Sequence, residues 1–174
     1  RTSGKSPKPS PLESMLFSIL EMQQEGDIIK EESNHPLFPH KPVQTCNGIL
    51  GPFGEHPSRI CGYVSFRIKG IADAGQYYEI MTFLQKGINL YIGKYGDKTR
   101  YFDKNTGKPR VEKHCDTGYD PDNKTMMIKV YGSSGHMGSL LEHDAAITKW
   151  AYMARAVFIY KKANGLSLEM ELEN

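Results

Sequence analysis

The run RICGYVSFRIKG at 59–70 constrains the fold more than any other stretch. Ile60, Val64, Phe66 and Ile68 alternate with Cys61, Tyr63, Ser65 and Arg67. Successive side chains on a strand point to opposite faces, so this is a half-buried strand with one wet face. A sheet built on such strands takes its apolar cover on one side only. Two further runs obey the same rule. TMMIKVY at 125–131 sets Met126, Ile128 and Val130 on one face. At the end of the chain Leu166, Leu168, Met170 and Leu172 alternate with Ser167, Glu169, Glu171 and Glu173.

The cover comes from three helical patterns. Pro11 suits a first helical position behind a Ser10 cap, with Glu13 as the capping-box acid, and Leu12, Met15, Leu16, Ile19 and Met22 keep helical spacing over 11–24, with a brief resumption at DIIKEE. A second helix covers 73–93, with Tyr77, Ile80, Met81, Leu84, Ile88 and Tyr91 as its stripe and Gly87 inside it. The third, at 144–162, repeats apolar residues at Ile147, Trp150, Ala151, Ala154, Val157 and Phe158 behind an Asp144 cap. Between them, 96–125 reads as an irregular insertion with turns at DKNTGKP and YDPDNK and a hairpin pairing TRYF with PRVEKH. VQTCNGILG reads as a weak strand and PFGEHPS as a turn. The expected fold is α+β, an open-faced sandwich: a mainly antiparallel four-stranded sheet with helices on one face, ferredoxin-like in its βαβ content. A flexible basic arm at 1–10 precedes one domain at 11–174.

Composition excludes several function classes. With 174 residues and 39% hydrophobic side chains the chain builds one core. Twenty-two basic against 20 acidic residues, net +2, argue against strong non-specific nucleic-acid binding. No apolar run reaches membrane-spanning length. Three widely spaced cysteines, Cys46, Cys61 and Cys115, form no disulfide framework and no zinc pair, so a cytoplasmic setting is expected. A start at Arg1 reads as a piece of a larger or processed protein.

The chemistry narrows to one stretch. Glu142-His143-Asp144 and His114-Cys115-Asp116 hold ligand-type residues without a partner pair at usable spacing. The two Asp-rich turns lack the closing carboxylate of a calcium loop, since twelve residues from Asp103 end at His114. Cys61 reads as a small buried hydrophobe. An independent enzyme using His136 with Cys61 or Cys115 would need those groups to converge in space. YGSSGHMGSLLEHDAA at 131–146 differs: His136 stands between glycines at a strand end, where an imidazole can donate to an anion or a polarised carbonyl.

IKVYGSSGHMGSLLEHDAAITKWAYMARA resembles the lid, or dimerisation, domain of the M20 family of zinc metallopeptidases and deacylases. In that family a strand ends in Gly-x-x-(Gly/Ala)-His, and an Asn-Ala pair opens the next helix. Gly132, Gly135 and His136 match, and Asp144-Ala145 stands where Asn-Ala would. NGILGPFGEHPSRICGYVSFRIKG is similar to the family's arginine-bearing lid segment, although here it precedes the histidine strand, and 96–125 has no counterpart. The resemblance implies a homodimerising lid cut from a larger hydrolase and inactive by itself. His136 would stabilise the oxyanion in a neighbouring subunit's site, Arg67 would contact a substrate carboxylate, and Gly135 would border a peptide-like or acyl-amino-acid substrate. Zinc would be held by a separate catalytic domain, with no cofactor or metal ligand in this chain. A stand-alone α/β module that binds a protein or ligand is the alternative.

Overall fold

The computed structural model describes residues 11–32, 59–136 and 143–173. The basic arm, the Ser10 cap, the weak strand VQTCNGILG and the turn PFGEHPS lie outside the described residues.

The alternating runs become a four-stranded antiparallel sheet. Its strands are β2 (Tyr63–Lys69), β3 (Cys115–Asp120), β4 (Thr125–Tyr131) and β6 (Glu169–Glu173), in the order β3-β4-β2-β6. Phe66 lies opposite Ile128 on one side and Leu172 on the other, so the inward positions stay in register across three strands. With α2 (Ala74–Tyr95) after β2 and α3 (Ala146–Ala163) after β4, the core reads β-α-β-β-α-β, two interleaved split βαβ units. A second, two-stranded ladder pairs β1 (Arg59–Ile60) with β5 (Gly135–His136).

The helices cover one face. Trp150 of α3 meets Phe66 edge-on at 6.4 Å, and Ile80, Leu84 and Ile88 of α2 join the same core. α2 starts on an Asp73 cap whose carboxylate accepts from the Gln76 N–H at 2.9 Å. Gly87 lets α2 approach α3: a Cβ there would lie 2.7 Å from the Met153 Cα and the Tyr152 carbonyl oxygen. α1 (Pro11–Glu32) packs on α3, with Phe17 edge-on to Phe158 at 5.5 Å. It runs straight through Gly26 instead of pausing after 24. The break expected there, worth roughly 1 kcal/mol, is outweighed by Asp27, which pairs with Lys94 at 2.8 Å, and by Gln23, which meets His143 at 2.9 Å.

The insertion is more ordered than its composition implies. A short 3₁₀ turn, Lys98–Arg100, leads into a minimal hairpin in which Phe102 bridges Pro109. β3 then follows where no strand was expected. Its outward residues Asp116, Gly118 and Asp120 hide the alternation, while Tyr119 points inward and stacks on Tyr77 at 4.9 Å. Among the described residues no helix is long and apolar enough to cross a membrane.

Candidate functional site

The glycine-flanked stretch begins where β4 leaves the sheet. The Gly132 N–H donates to the Gly62 carbonyl at 2.9 Å, and the chain passes directly under the start of α3. A Cβ on Gly132 would stand 2.3 Å from the Ala146 nitrogen and 2.4 Å from the Asp144 carbonyl oxygen, and both are backbone atoms that cannot step aside. The first glycine of the motif therefore permits strand-to-helix packing. Gly135 and His136 then form β5, with His136 opposite Arg59 on the small ladder outside the main sheet.

Asp144 is not the helix cap that its position suggests. Ala145 occupies that place without a side-chain bond, and Asp144 turns inward. Its Oδ2 accepts a short hydrogen bond from the Ser133 hydroxyl, and its Oδ1 lies 2.5 Å from the Lys149 Nζ. The Ser133 N–H adds a bond to the Asp144 carbonyl at 3.0 Å, and Lys149 donates to the Tyr131 carbonyl at 3.0 Å. Ser133, Asp144 and Lys149 are 3%, 1% and 0% exposed. Burial pulls the Lys149 ammonium below its usual 10.5, and the Asp144 carboxylate works against that. His143, at φ 61°, reverses the chain just before this pair and stacks on Tyr95 at 4.2 Å, while its carbonyl accepts from the Tyr91 hydroxyl.

A second polar cluster adjoins the first. Asp97 accepts from Thr99 and lies 3.0 Å from the His114 Nε2, whose ring meets Tyr91 edge-on. Burial and then Lys149 push His114 below 6.5, with Asp97 opposing them. Lys149 and Asp97 carry no mark as site residues in the sequence, and His114 stands out there only as a ligand-type residue beside Cys115 and Asp116. The sequence offered no signal for Lys149, which lies off the Ile147, Trp150, Ala151 and Ala154 stripe and is buried because a second side of α3 is covered as well.

His136 and Arg67 lie on different sheets. Arg67 lies on the open sheet face opposite Glu171 and pairs with Glu173 at 2.5 Å. Arg67 belongs to the main sheet and His136 to the separate β1–β5 ladder, and the chain that joins Arg67 to Arg59, the partner of His136, bends at Gly62. Burial raises the thiols of Cys61 and Cys115, which keeps them protonated and weakly nucleophilic. Among the described residues no group of three or more His, Cys, Asp and Glu side chains is gathered to hold a metal.

Ser133 and Ser134 form one wall of a cleft of about 490 Å³. The hairpin residues Asp103, Asn105, Thr106, Lys108, Pro109 and Arg110 form the other. No protein-family model, curated protein or solved structure matches the chain.

Proposed function

We propose that this chain is the lid, or dimerisation, domain of a larger zinc-dependent hydrolase similar to the M20 family, closing over a peptide-like or acyl-amino-acid substrate. One observation carries the reading. A core strand, β4, runs into Gly132-x-x-Gly135-His136, and the chain then enters α3, the helix that packs on the same sheet. The β-α-β-β-α-β open sandwich, with its ferredoxin-like strand order, supports it. His136 would donate a hydrogen bond to the tetrahedral oxyanion in a neighbouring subunit's site, a contribution of about 10²–10³ in rate for one such donor. Zinc and its ligands would belong to the catalytic domain, and this chain alone would be inactive. Arg67 would contact a substrate carboxylate by exchanging it for Glu173. β6 ends the sheet order and presents an edge along which a second copy would pair. Free thiols at Cys61 and Cys115 favour a cytoplasmic setting.

Light scattering after size exclusion tests the dimer, on wild type and on the neighbouring variants Met170→Pro and Glu171→Pro. N–H groups alternate in direction along a strand, so one proline removes a bond to β2 and the other touches only the free edge. A wild-type dimer that turns monomeric in the variant keeping its melting temperature supports the lid. A wild type that stays monomeric at high concentration removes the in-trans role of His136. The cleft beside Ser133 favours a second reading, a stand-alone ligand-binding module without catalysis, which then takes over.

A further inference from the structure

Within the insertion positive charge gathers around the hairpin, although 96–125 as a whole carries seven Lys or Arg against six Asp or Glu. KTRYFDKNTGKPRVEK at 98–113 carries six Lys or Arg against two Asp or Glu, a net +4 where the whole chain has +2. Its one acid facing the cleft is already engaged. The Asp103 Oδ1 accepts from the Asn105 and Thr106 N–H groups at 2.9 and 3.0 Å and from the Thr106 hydroxyl at 3.2 Å, while Oδ2 lies 3.9 Å from the Arg110 guanidinium. Lys108 and Arg110 both line the cleft, and among the described residues Asp103, already bonded within the hairpin, is the one carboxylate that lines it with them. Among the described residues neither the Lys108 ammonium nor the Ser134 hydroxyl has a partner. Tyr101 and Phe102, 45% and 62% exposed, border an adjoining hollow of about 360 Å³ that shares Asp103, Asn105 and Arg110 with the cleft. Cations and aromatic rings exposed side by side suit a ligand with an anionic group and an apolar body.

We infer that the cleft between the hairpin and Ser133-Ser134 binds a small ligand through an oxyanion group, met by Lys108, Arg110 and the Ser134 hydroxyl, with Tyr101 and Phe102 covering its apolar part. In its substrate class the inference rests on the lid reading: there the group is a carboxylate, and the ligand is an acyl-amino acid with an acidic side chain. Ser134 is two residues from His136, so a ligand in the cleft lies beside the strand that carries the oxyanion contact. The hairpin would then select substrates while β5 serves the reaction.

Amide NMR titration of the whole chain tests this with three probes: N-acetyl-L-glutamate, the uncharged N-acetyl-L-glutaminamide, in which both carboxylates are amides, and inorganic phosphate. N-acetyl-glutamate is expected to shift the amides of Asn105, Thr106, Lys108 and Ser134, and the glutaminamide to bind about tenfold more weakly or worse. Lys108→Gln and Arg110→Gln should each weaken the anion several-fold, whereas Lys86→Gln on α2 should not. Phosphate acting on these amides where N-acetyl-glutamate does not keeps the anion site and makes phosphate its group. Equal binding of the charged and neutral compounds overturns the inference, as do silence toward both anions and affinity unchanged in both hairpin variants. The shifts are read on this chain without zinc or dimer. A monomeric mass therefore sinks the lid and leaves the cleft standing, and absent shifts sink the cleft with a dimer intact.

Discussion

Lys149→Met removes the cation from the most buried charge pair in the described structure. Both side chains of the Lys149–Asp144 pair are fully buried at 2.5 Å. Methionine keeps the length of the stem, so packing against Tyr91 is nearly preserved and the loss is electrostatic. Asp144 would retain only the Ser133 hydroxyl and would sit as an uncompensated anion. Breaking a buried pair in this way costs about 3–5 kcal/mol. For a domain of this length that lowers Tm by about 6–20 °C. Asp144→Asn should be similarly harmful, since it strands Lys149 instead. The double variant should lose less than the two singles together, because no lone charge is left behind. Urea unfolding reads all four proteins through Trp150, the chain's single tryptophan, which is fully buried. A Lys149→Met loss below about 1 kcal/mol would refute the reasoning, because that is the scale of a hydrated surface pair. Additivity of the two singles would refute it independently.

Other outcomes follow from single contacts. Gly132→Ala forces a Cβ onto two backbone atoms and should destabilise by roughly 3 kcal/mol or more, whereas Gly93→Ala, with open space around it in α2, should gain about 0.5–1 kcal/mol; chemical denaturation compares them. Asp73→Ala removes the α2 cap and should cost about 0.5–2 kcal/mol by the same assay, with Asp73→Asn losing less. His114 is held below 6.5, so between its folded value and 6.5 the unfolded chain binds the extra proton and stability falls on acidification. Melting curves from pH 7 to pH 5 should therefore flatten in His114→Gln, and an NMR titration of His114 should end below 6.5.

Where hydrophobic period and turn chemistry agreed, the sequence was sufficient. Val64, Phe66 and Ile68, and Met126, Ile128 and Val130, point inward as their alternation requires, and Asp73 caps the helix that begins one residue on. β3 was illegible because its outward positions are acidic or glycine and its inward ones include Cys115 and Thr117, so no apolar alternation survives. The continuation of α1 past Gly26 was illegible for another reason: Asp27 and Gln23 act through partners 67 and 120 residues away, which no local window contains. The candidate site divides in the same way. Gly132, Gly135 and His136 stood out by spacing, but the role of Gly132 depends on where α3 arrives. Asp144 was visible as a capping or ligand-type residue but not as half of a buried pair, since its inward turn follows from a lysine buried five residues later. The hairpin at 102–109 is legible as a turn, but the cleft that its cations line depends on where Ser133 and Ser134 arrive.

The buried pair gains meaning from its connections more than from its energy. An apolar pair of similar volume would stabilise a core at least as well, so Lys149 and Asp144 are a poor means of adding stability. They do give direction. Asp144 holds Ser133 with one oxygen and Lys149 with the other, and Lys149 returns to the carbonyl of Tyr131. Strand end, loop and helix start are thereby tied in one ring around Gly132, the position that admits no side chain. The chain leaves that ring at Ser134 and forms β5 two residues from Gly132's neighbour, so the point from which His136 departs is set by charges that water cannot reach. Ser133 belongs to both the ring and the cleft wall. A ligand against the hairpin and the geometry of β5 thus share one serine, and under the proposed function this is where substrate selection and the oxyanion contact would meet.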